Sequence, residues 1–232
     1  MTAFVLVHGA WHGGWAWERV SPLLEEAGAT VSAPTLTGDR PESEPTRQVG
    51  LGTHVEDVLR ALDALTGERA TLVGHSYAGL VVREAADRRP ERVERIVLVD
   101  GWAGADGSSM FSLAPHWFAE GTRKAAEEGG DGWLIPAPHP AVFGITEPED
   151  ARWLAARLRP QPLRTFTEPT RLGGAVDEIP GTAICCTPET LPFAGLAEQL
   201  GYQLVSVEGP HDVMLSGPDL LAEQLLEPAG RT

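Results

Sequence analysis

The sequence predicts an α/β protein with a mostly parallel central sheet, and three observations support this prediction. Short apolar runs, each about as long as a buried strand, alternate with segments whose apolar residues recur at helical spacing. One such run, residues 70–73, leads through a short glycine-bounded turn directly into the next helical segment. The length of 232 residues is enough for one large domain. Strands that alternate with helices favour a parallel sheet covered on both faces.

The charge balance narrows the classes of partner. The chain carries 18 Lys and Arg against 33 Asp and Glu, a net charge of −15. This acidity argues against nucleic-acid binding, which rests on neutralising phosphates, and against docking on anionic lipid. No apolar run approaches the roughly 20 residues of a membrane span, and the N-terminus lacks a signal-peptide pattern. We expect a cytoplasmic protein with a small-molecule partner. The oligomeric state is open, and a homodimer is one option.

The two cysteines give no sign of a disulfide or a metal site. Cys185 and Cys186 are adjacent, and sequence neighbours rarely meet disulfide geometry. They also lack the CxxC spacing of metal ligands. We therefore expect small buried thiols in a reducing compartment, and neither a metal nor a cofactor.

The elements follow in order along the chain. Six apolar runs are predicted as strands: residues 3–7, 30–33, 70–73, 96–99, 182–186 and 203–207. Helical spacing predicts helices at residues 20–27, 53–65, 80–89, 115–128, 148–158, 193–200 and 218–226. Gly28 is a plausible stop for the first helix. Thr53 and Glu56 predict a capping box at the start of the second. Residues 38–45 form a polar, proline-rich loop.

The alternation breaks between residues 101 and 180, which are rich in Trp, Pro and Gly. We interpret this insertion as a cap over the carboxyl ends of the strands, where ligands of open α/β sheets bind. The core is then formed by residues 1–100 and 181–232 within a single domain. The alternative is an ordinary packing subdomain without a role at the site.

Ser76 is the candidate nucleophile. It stands in Gly74-His75-Ser76-Tyr77-Ala78, between a buried strand and a helix. That context is typical of a nucleophile elbow, in which a strained turn lifts a serine hydroxyl out of the sheet. The fifth position is alanine where the G-x-S-x-G pattern has glycine, and we interpret it as a tolerated small residue. The alternative is an incidental turn serine.

A serine needs a base, and His211 is the candidate. It lies in a loop after the last predicted strand and before the last helix, where this architecture places its histidine. His75 adjoins the nucleophile, but its side chain is expected to point away from the hydroxyl. His54 is expected on a helix surface. The other histidines are predicted in the N-terminal loop (His8 and His12) or in the cap (His116 and His139).

An oxyanion hole needs backbone N–H groups aimed at the developing negative charge. One is expected from Tyr77, the residue after the nucleophile. The other is expected from Ala10, in the glycine-rich loop after the first strand. The same loop and the cap supply the predicted substrate pocket. Its residues are Trp11, His12, Trp102, His116, Trp133 and His139.

Three stretches carry a resemblance to a known family. They are Phe4-Val-Leu-Val-His8-Gly-Ala10-Trp-His-Gly-Gly-Trp15, Leu72-Val-Gly-His-Ser76-Tyr-Ala-Gly79 and Gly209-Pro-His211-Asp-Val-Met-Leu-Ser216. The chain resembles the α/β-hydrolases of the plant methylesterase and hydroxynitrile lyase group, in their actinobacterial branch. The resemblance covers nearly the whole chain. It implies an α/β-hydrolase fold with a small, mainly helical cap inserted after the sixth strand.

The resemblance also bears on the acid that would orient His211. The family's aspartate, after a Cys-Thr-x step, corresponds to Glu189 in Cys186-Thr187-Pro188-Glu189. We prefer Glu189, since glutamate serves in some triads of this fold. The alternative is Asp100, at the carboxyl end of the strand over residues 96–99. Asp212 is a third option, less plausible because neighbours in a short loop seldom face the same way.

Two positions disfavour hydroxynitrile lyase chemistry. The resemblance implies a lysine after the catalytic histidine in such lyases, and Asp212 stands there. It also implies a threonine where this chain has Gly9, as the esterases do. We therefore predict a serine hydrolase that cleaves a small, hydrophobic carboxylic ester through an acyl-enzyme. Two alternatives remain: a natural-product biosynthetic enzyme that uses the triad for lactonisation, cyclisation or C–C cleavage, and a non-catalytic ligand-binding protein.

Overall fold

A computed structural model describes residues 2–40, 44–67 and 69–227 of the chain. The strands are β1 (Ala3–Val7), β2 (Thr30–Ser32), β3 (Ala70–His75), β4 (Val93–Val99), β5 (Leu134–Ile135), β6 (Gln161–Pro162), β7 (Gly181–Thr187) and β8 (Gln203–Glu208). The α-helices are α1 (Ser21–Glu26), α2 (Leu51–Ala64), α3 (Ala78–Arg88), α4 (Met110–Leu113), α5 (His116–Gly129), α6 (Pro148–Ala155), α7 (Arg164–Thr167), α8 (Phe193–Gln199), α9 (Val213–Ser216) and α10 (Pro218–Leu226).

The central sheet has six parallel strands in the order β2-β1-β3-β4-β7-β8. Every residue of β1 and β3 is buried, as expected for central strands covered on both faces. The predicted α/β class is therefore confirmed. A separate antiparallel pair, β5 with β6, lies in the insertion and was not predicted, because two-residue strands leave no periodic signal.

The strand order places the site. From β1 the chain moves to β2 on one side, and then crosses to β3 on the other. Because parallel crossovers are right-handed, this reversal puts α1 and α2 on opposite faces. Consistent with this, α2 packs on α3 and α1 packs on α10. The loops that follow β1 and β3 meet at the switch point, where open α/β sheets bind their ligands.

Three local expectations are wrong. The second helix begins at Leu51, so Thr53 lies inside its first turn, where its hydroxyl accepts the Gly50 N–H; no capping box forms with Glu56. His54 is buried, because α2 packs inward on that side. The insertion follows β4, the fourth strand rather than the sixth, because this sheet has only six strands and two of them come later.

Some expectations reach beyond the described residues. The loop predicted over residues 38–45 includes residues 41–43, and the predicted core includes residues 1, 68 and 228–232; these lie outside the described part of the chain. Within that part, no helix is both long and apolar enough to cross a membrane.

Candidate active site

Ser76 occupies a strained turn between β3 and α3. Its φ of 52° lies in the left-handed region, which is unfavourable for a residue with a side chain. The turn is held on both sides of the residue. The Ser76 N–H donates to Val99 O at 3.1 Å, and the Ser76 carbonyl accepts the N–H groups of Gly79 and Trp102, both at 3.0 Å. These bonds offset the strain and fix the serine at the carboxyl edge of the sheet.

Close backbone approach explains the small residues around Ser76. A Cβ at position 74 would lie 2.7 Å from a Val82 methyl group and 2.8 Å from the Ala78 carbonyl oxygen. A Cβ at position 79 would lie 2.3 Å from the Trp102 carbonyl oxygen. The side chain of Ala78 itself is accommodated in the core. Glycine is therefore required at position 79, and alanine is tolerated at position 78.

The structure pairs His211 with Asp100. His211 Nδ1–H donates to Asp100 Oδ2 at 3.0 Å, and the other carboxylate oxygen accepts the Cys186 N–H at 2.8 Å. Asp100 is buried and directly follows β4 in the chain. Because Nδ1 donates to a carboxylate, Nε2 is the nitrogen left to take a proton. The imidazole is further held between Phe193 and Phe143, whose rings lie nearly parallel to it at 5.4 and 6.4 Å.

The preferred acid of the sequence prediction does not reach His211. Glu189 Oε1 instead accepts the Ala194 N–H at 3.1 Å, in the first turn of α8, and its side chain is exposed. The Glu189–His211 pairing is therefore wrong. The Asp212 carboxylate also faces away from His211, towards His12 at 2.9 Å. Asp100, the alternative, is the acid that contacts the histidine.

The two backbone N–H groups predicted for the oxyanion hole have no acceptor within the described part of the chain. Among the residues that the structure describes, neither the Ala10 nor the Tyr77 N–H donates to a backbone or side-chain acceptor. Gly9 brings the loop after β1 against the serine: a Cβ at this position would lie 3.0 Å from Ser76 Cβ. The Tyr77 side chain is buried, and its hydroxyl donates to His54 Nδ1 at 3.0 Å. The buried His54 thus anchors the residue that follows the serine.

A cavity of about 170 Å³ opens between the sheet and the insertion. Ser76 and His211 both lie in its wall, and most of the other lining side chains are apolar. The lining residues are Trp11, Ser76, Trp102, Met110, Trp117, Phe118, Val142, Phe143, Thr190, Leu191 and His211. At the mouth, Trp117 is 66% exposed and Val142 is 65% exposed. A second cavity of about 420 Å³ shares Val142, Phe143, Thr190 and His211 with the first. His211 therefore stands between two cavities.

The predicted pocket residues divide into two groups. Trp11 and Trp102 line the cavity, as expected. The other four do not. His12 is buried beneath the site, whereas His116 forms an exposed pair with Glu120. His139 accepts the Ala141 N–H at the start of a short 3₁₀ turn, and Trp133 lies under the guanidinium of Arg47. The insertion reaches the cavity instead through residues that composition could not single out, chiefly Met110, Phe118 and Phe143.

Three buried histidines are neutral. His8 Nδ1–H donates to Gly9 O, and its Nε2 accepts the Leu36 N–H. Burial, offset in part by the Gly9 bond, lowers the pKa of His8 to about 3. Burial also lowers the pKa of His54, and it lowers the pKa of His75 well below the usual value, with a further contribution from His211. His75 Nε2–H donates to the His211 carbonyl at 3.1 Å and so links the strand before Ser76 to the histidine loop.

The arrangement of possible metal ligands can be examined in the described part of the chain. Among residues 2–40, 44–67 and 69–227, no group of three or more His, Cys, Asp or Glu side chains is placed to hold an ion. Cys185 and Cys186 are free and buried. The chemistry available is that of a serine, a histidine and a carboxylate.

The family follows from a comparison with known sequences. The sequence model of the alpha/beta hydrolase family matches residues 4–224, nearly the whole chain. The chain belongs to the α/β-hydrolase family. This α/β-hydrolase is 32% identical to the carbendazim hydrolyzing esterase of Nocardioides sp. (strain SG-4G), over 97% of this chain and 98% of the relative. It is 26% identical to salicylic acid-binding protein 2 of Nicotiana tabacum, over 97% and 95% of the two chains.

Solved structures agree with the fold. An extracellular α/β-hydrolase from a Paenibacillus species superposes with a TM-score of 0.87 at 23% identity, over 100% of both chains. A methylesterase from Arabidopsis gives a TM-score of 0.81 at 23% identity, over 97% and 98% of the two chains. The sequence relatives confirm the resemblance to the methylesterase and hydroxynitrile lyase group. The chain is an enzyme of this fold, of the esterase and hydrolase class.

Proposed function

We propose that this α/β-hydrolase is a serine carboxylesterase with Ser76, His211 and Asp100 as its catalytic triad. One observation carries the proposal: the 3.0 Å bond from His211 Nδ1 to Asp100, in a histidine that shares a cavity wall with Ser76. That bond fixes the tautomer in which Nε2 can act as a base. If His211 were an ordinary surface histidine, or Ser76 an incidental turn serine, their common position in one cavity wall and the bond from His211 to Asp100 would have no explanation.

The reaction follows from these positions. Ser76 Oγ forms a bond to the ester carbonyl carbon while its proton passes to His211 Nε2. The carbonyl oxygen becomes an oxyanion that accepts the Ala10 and Tyr77 N–H groups. Collapse of this intermediate breaks the ester C–O bond, and His211 returns the proton to the departing alcohol. Water then attacks the acyl-enzyme by the same proton path, which releases the acid and restores Ser76.

The two cavities suggest the kind of substrate. The apolar cavity of about 170 Å³ beside Ser76 suits a small hydrophobic acyl group. The cavity of about 420 Å³ on the other side of His211 has room for the alcohol. Residues 101–180 would then act as a cap over a core formed by residues 1–100 and 181–232. The esterases among the relatives support a small-molecule ester.

Position 9 supports hydrolysis over hydroxynitrile lyase chemistry. A Cβ there would lie 2.8 Å from His75 Nδ1 and 3.0 Å from Ser76 Cβ, so the threonine expected of a lyase would not fit without movement. Asp212, where a lyase would carry lysine, is occupied with His12. We also expect the enzyme to act in the cytoplasm, and the free thiols Cys185 and Cys186 are consistent with a reducing compartment.

The test is hydrolysis of p-nitrophenyl acetate and p-nitrophenyl butyrate by the wild type, Ser76→Ala and His211→Ala. We expect turnover by the wild type and a fall to about the background rate, of the order of 10⁶-fold for either triad residue, in both variants. Turnover that survives in Ser76→Ala would overturn the proposal. If the wild type is inactive, labelling by a fluorophosphonate decides: labelling lost in Ser76→Ala retains the triad for a more selective reaction, and absence of labelling favours a ligand-binding protein.

A further inference from the structure

The peptide group between Ala10 and Trp11 is held on both of its polar sides. Its carbonyl oxygen, on Ala10, accepts from His12 Nδ1 at 2.8 Å. Its N–H, on Trp11, donates to Gln161 Oε1 at 3.0 Å. Trp11 has a φ of 67°, in the left-handed region that a side-chain-bearing residue enters only when its surroundings hold it there. Ala10, whose N–H the proposed mechanism assigns to the oxyanion, is thus joined to a strained peptide with two dedicated partners.

The hydrogen bonds of His12 define its charge. Nδ1 faces the Ala10 carbonyl, and Nε2 faces Asp212 Oδ2 at 2.9 Å. The carbonyl can only accept, so Nδ1 carries hydrogen. With Asp212 ionised, Nε2 donates as well, and the ring is an imidazolium. His12 and Asp212 are both fully buried. Burial lowers the pKa of His12, but the carboxylate and the two hydrogen bonds outweigh it, so the pKa is raised overall.

Asp212 is the only counter-charge that faces His12 among the described residues. The other titratable groups around the ring, His8 and His75, are neutral. Trp15 and Phe143 close the remaining sides, at ring distances of 5.3 and 4.9 Å. Burying a lone charge in such a place is strongly unfavourable, so the pair must form together.

Gln161 is fixed as firmly as His12. Its amide Nε2 donates to Thr165 Oγ1 at 2.9 Å, and that hydroxyl donates to the Pro162 carbonyl at 2.7 Å. Because the amide nitrogen has this acceptor, the oxygen is the end that turns to Trp11. Gln161 is fully buried and comes from the insertion. The hydrogen bonds of His12, Asp212 and Gln161 therefore join three parts of the chain: the loop after β1, the insertion and the loop that carries His211.

We infer that His12, Asp212 and Gln161 are positioning residues that clamp the Ala10–Trp11 peptide and so hold the Ala10 N–H towards the oxyanion. This inference rests on the proposed esterase mechanism, which assigns that N–H its role. Asp212 directly follows His211, so the clamp also ties the oxyanion loop to the base. None of the three residues lines either of the two cavities; each acts through the backbone of residues 10 and 11.

The test compares Asp212→Ala with Asp212→Asn. Alanine leaves His12 Nε2 without a partner and frees the ring. Asparagine can donate its amide N–H to Nε2 of a neutral His12, whose Nδ1–H still reaches the Ala10 carbonyl. We expect kcat for p-nitrophenyl acetate to fall about 10- to 100-fold in Asp212→Ala, with KM within about threefold. In Asp212→Asn we expect kcat to stay within about threefold of the wild type.

A second readout is specific for the oxyanion. The ratio of kcat for p-nitrophenyl acetate to kcat for its thionoester measures how well the N–H donors select oxygen over the weaker acceptor sulfur. We expect this ratio to fall in Asp212→Ala and in Gln161→Leu, and to stay at the wild-type value in Asp212→Asn. The control is Glu84→Ala, which removes another largely buried carboxylate, one that accepts the Arg171 N–H away from the site. We expect this variant to leave the ratio unchanged, whatever its effect on stability.

A third readout does not depend on activity. In ¹⁵N spectra at pH 7.5, with the His12 signal assigned from its loss in His12→Gln, we expect both ring nitrogens to be protonated in the wild type and only Nδ1 in Asp212→Asn. A wild-type His12 whose Nδ1 carries no hydrogen would overturn the clamp whether or not the protein is an esterase. A kcat and an ester-to-thionoester ratio unchanged in both Asp212→Ala and Gln161→Leu would overturn it too, as would an equal loss of kcat in Asp212→Asn and Asp212→Ala.

Discussion

Replacing Asp100 by asparagine should reverse the direction of the hydrogen bond at His211. The buried Cys186 N–H, which donates to Asp100 Oδ1 at 2.8 Å, needs an oxygen opposite it. The asparagine oxygen will take that place, since turning the amide round would leave the N–H unsatisfied at about 1–3 kcal/mol. The amide nitrogen then faces His211 Nδ1 and donates to it. The proton of the neutral ring moves to Nε2, where it opposes Ser76 instead of accepting its proton.

The expected loss is large. The wrong tautomer and the missing negative charge together are worth about 10⁴-fold in kcat in the serine-protease triad. That factor corresponds to about 5 kcal/mol of transition-state stabilisation. We expect Asp100→Asn to lose about 10³- to 10⁴-fold in kcat for p-nitrophenyl acetate. Its melting temperature should stay within a few degrees of the wild-type value, because hydrogen bonds to Cys186 and to His211 both remain possible.

Glu189→Gln is the matched control for this experiment. Glu189 Oε1 accepts the Ala194 N–H, and a glutamine oxygen can accept it equally well. We expect kcat within about twofold of the wild type, since an exposed side chain away from His211 contributes little. The reasoning is refuted if Asp100→Asn keeps more than a tenth of the activity, or if Glu189→Gln loses as much as Asp100→Asn.

Three further predictions use stability, packing and thiol chemistry. Gly9→Ala should lower kcat at least tenfold, because overpacking against Ser76 Cβ costs about 1–3 kcal/mol. The control is Gly195→Ala, whose Cβ meets nothing within 4 Å and which should keep the wild-type kcat. Equal kcat values in the two variants would count against the contact between residue 9 and Ser76. The free energy of unfolding should fall as the pH drops below about 6.5, the pKa of a histidine in the unfolded chain. The pKa values of His8 and His75 are lowered in the folded protein, so the unfolded chain binds protons that the folded protein does not. The expected loss is about 1.4 kcal/mol per pH unit for each histidine held neutral. Urea titrations at pH 7, 5 and 4 measure it, and a flat profile would contradict it. Burial and the nearby Asp100 raise the pKa of the Cys185 thiol to about 11. Iodoacetamide at pH 7.5 should therefore add no mass to the native protein, and it should add two adducts to the denatured chain. Fast labelling of the native protein would argue against burial of the thiols.

Much of the architecture could be predicted from the sequence because its causes are local. Apolar runs predicted the six strands of the central sheet to within a few residues. The signal is clearest for β1 and β3, because strands buried on both faces must be continuously apolar. The turn at Ser76 was predictable for a similar reason, because its small neighbours are required by backbone approach at that point of the chain. His211 was predicted from chain order alone.

Other features depend on packing between distant segments. Thr53 carries a capping signal, but the helix begins two residues earlier, at Leu51. His54 looked like a surface residue until the fold placed Tyr77 and Thr37 against its two ring nitrogens. Of the tryptophans and histidines predicted in the pocket, only Trp11 and Trp102 line it, because composition cannot tell which side chains of the insertion turn inwards.

The choice of acid shows the division most clearly. The sequence by itself determined the fold class, through the alternation of strands and helices along the chain. It predicted Ser76 from a local turn pattern and His211 from its place in the chain order. It offered Glu189, Asp100 and Asp212 for the acid, and no local pattern separates a carboxylate that caps a helix from one that reaches an imidazole 111 residues away. Only the tertiary structure decided that Asp100 meets His211 while Asp212 pairs with His12. The parallel strands β4, β7 and β8 are successive neighbours in the sheet, so the residues that follow β4 and β8 come together at the same edge.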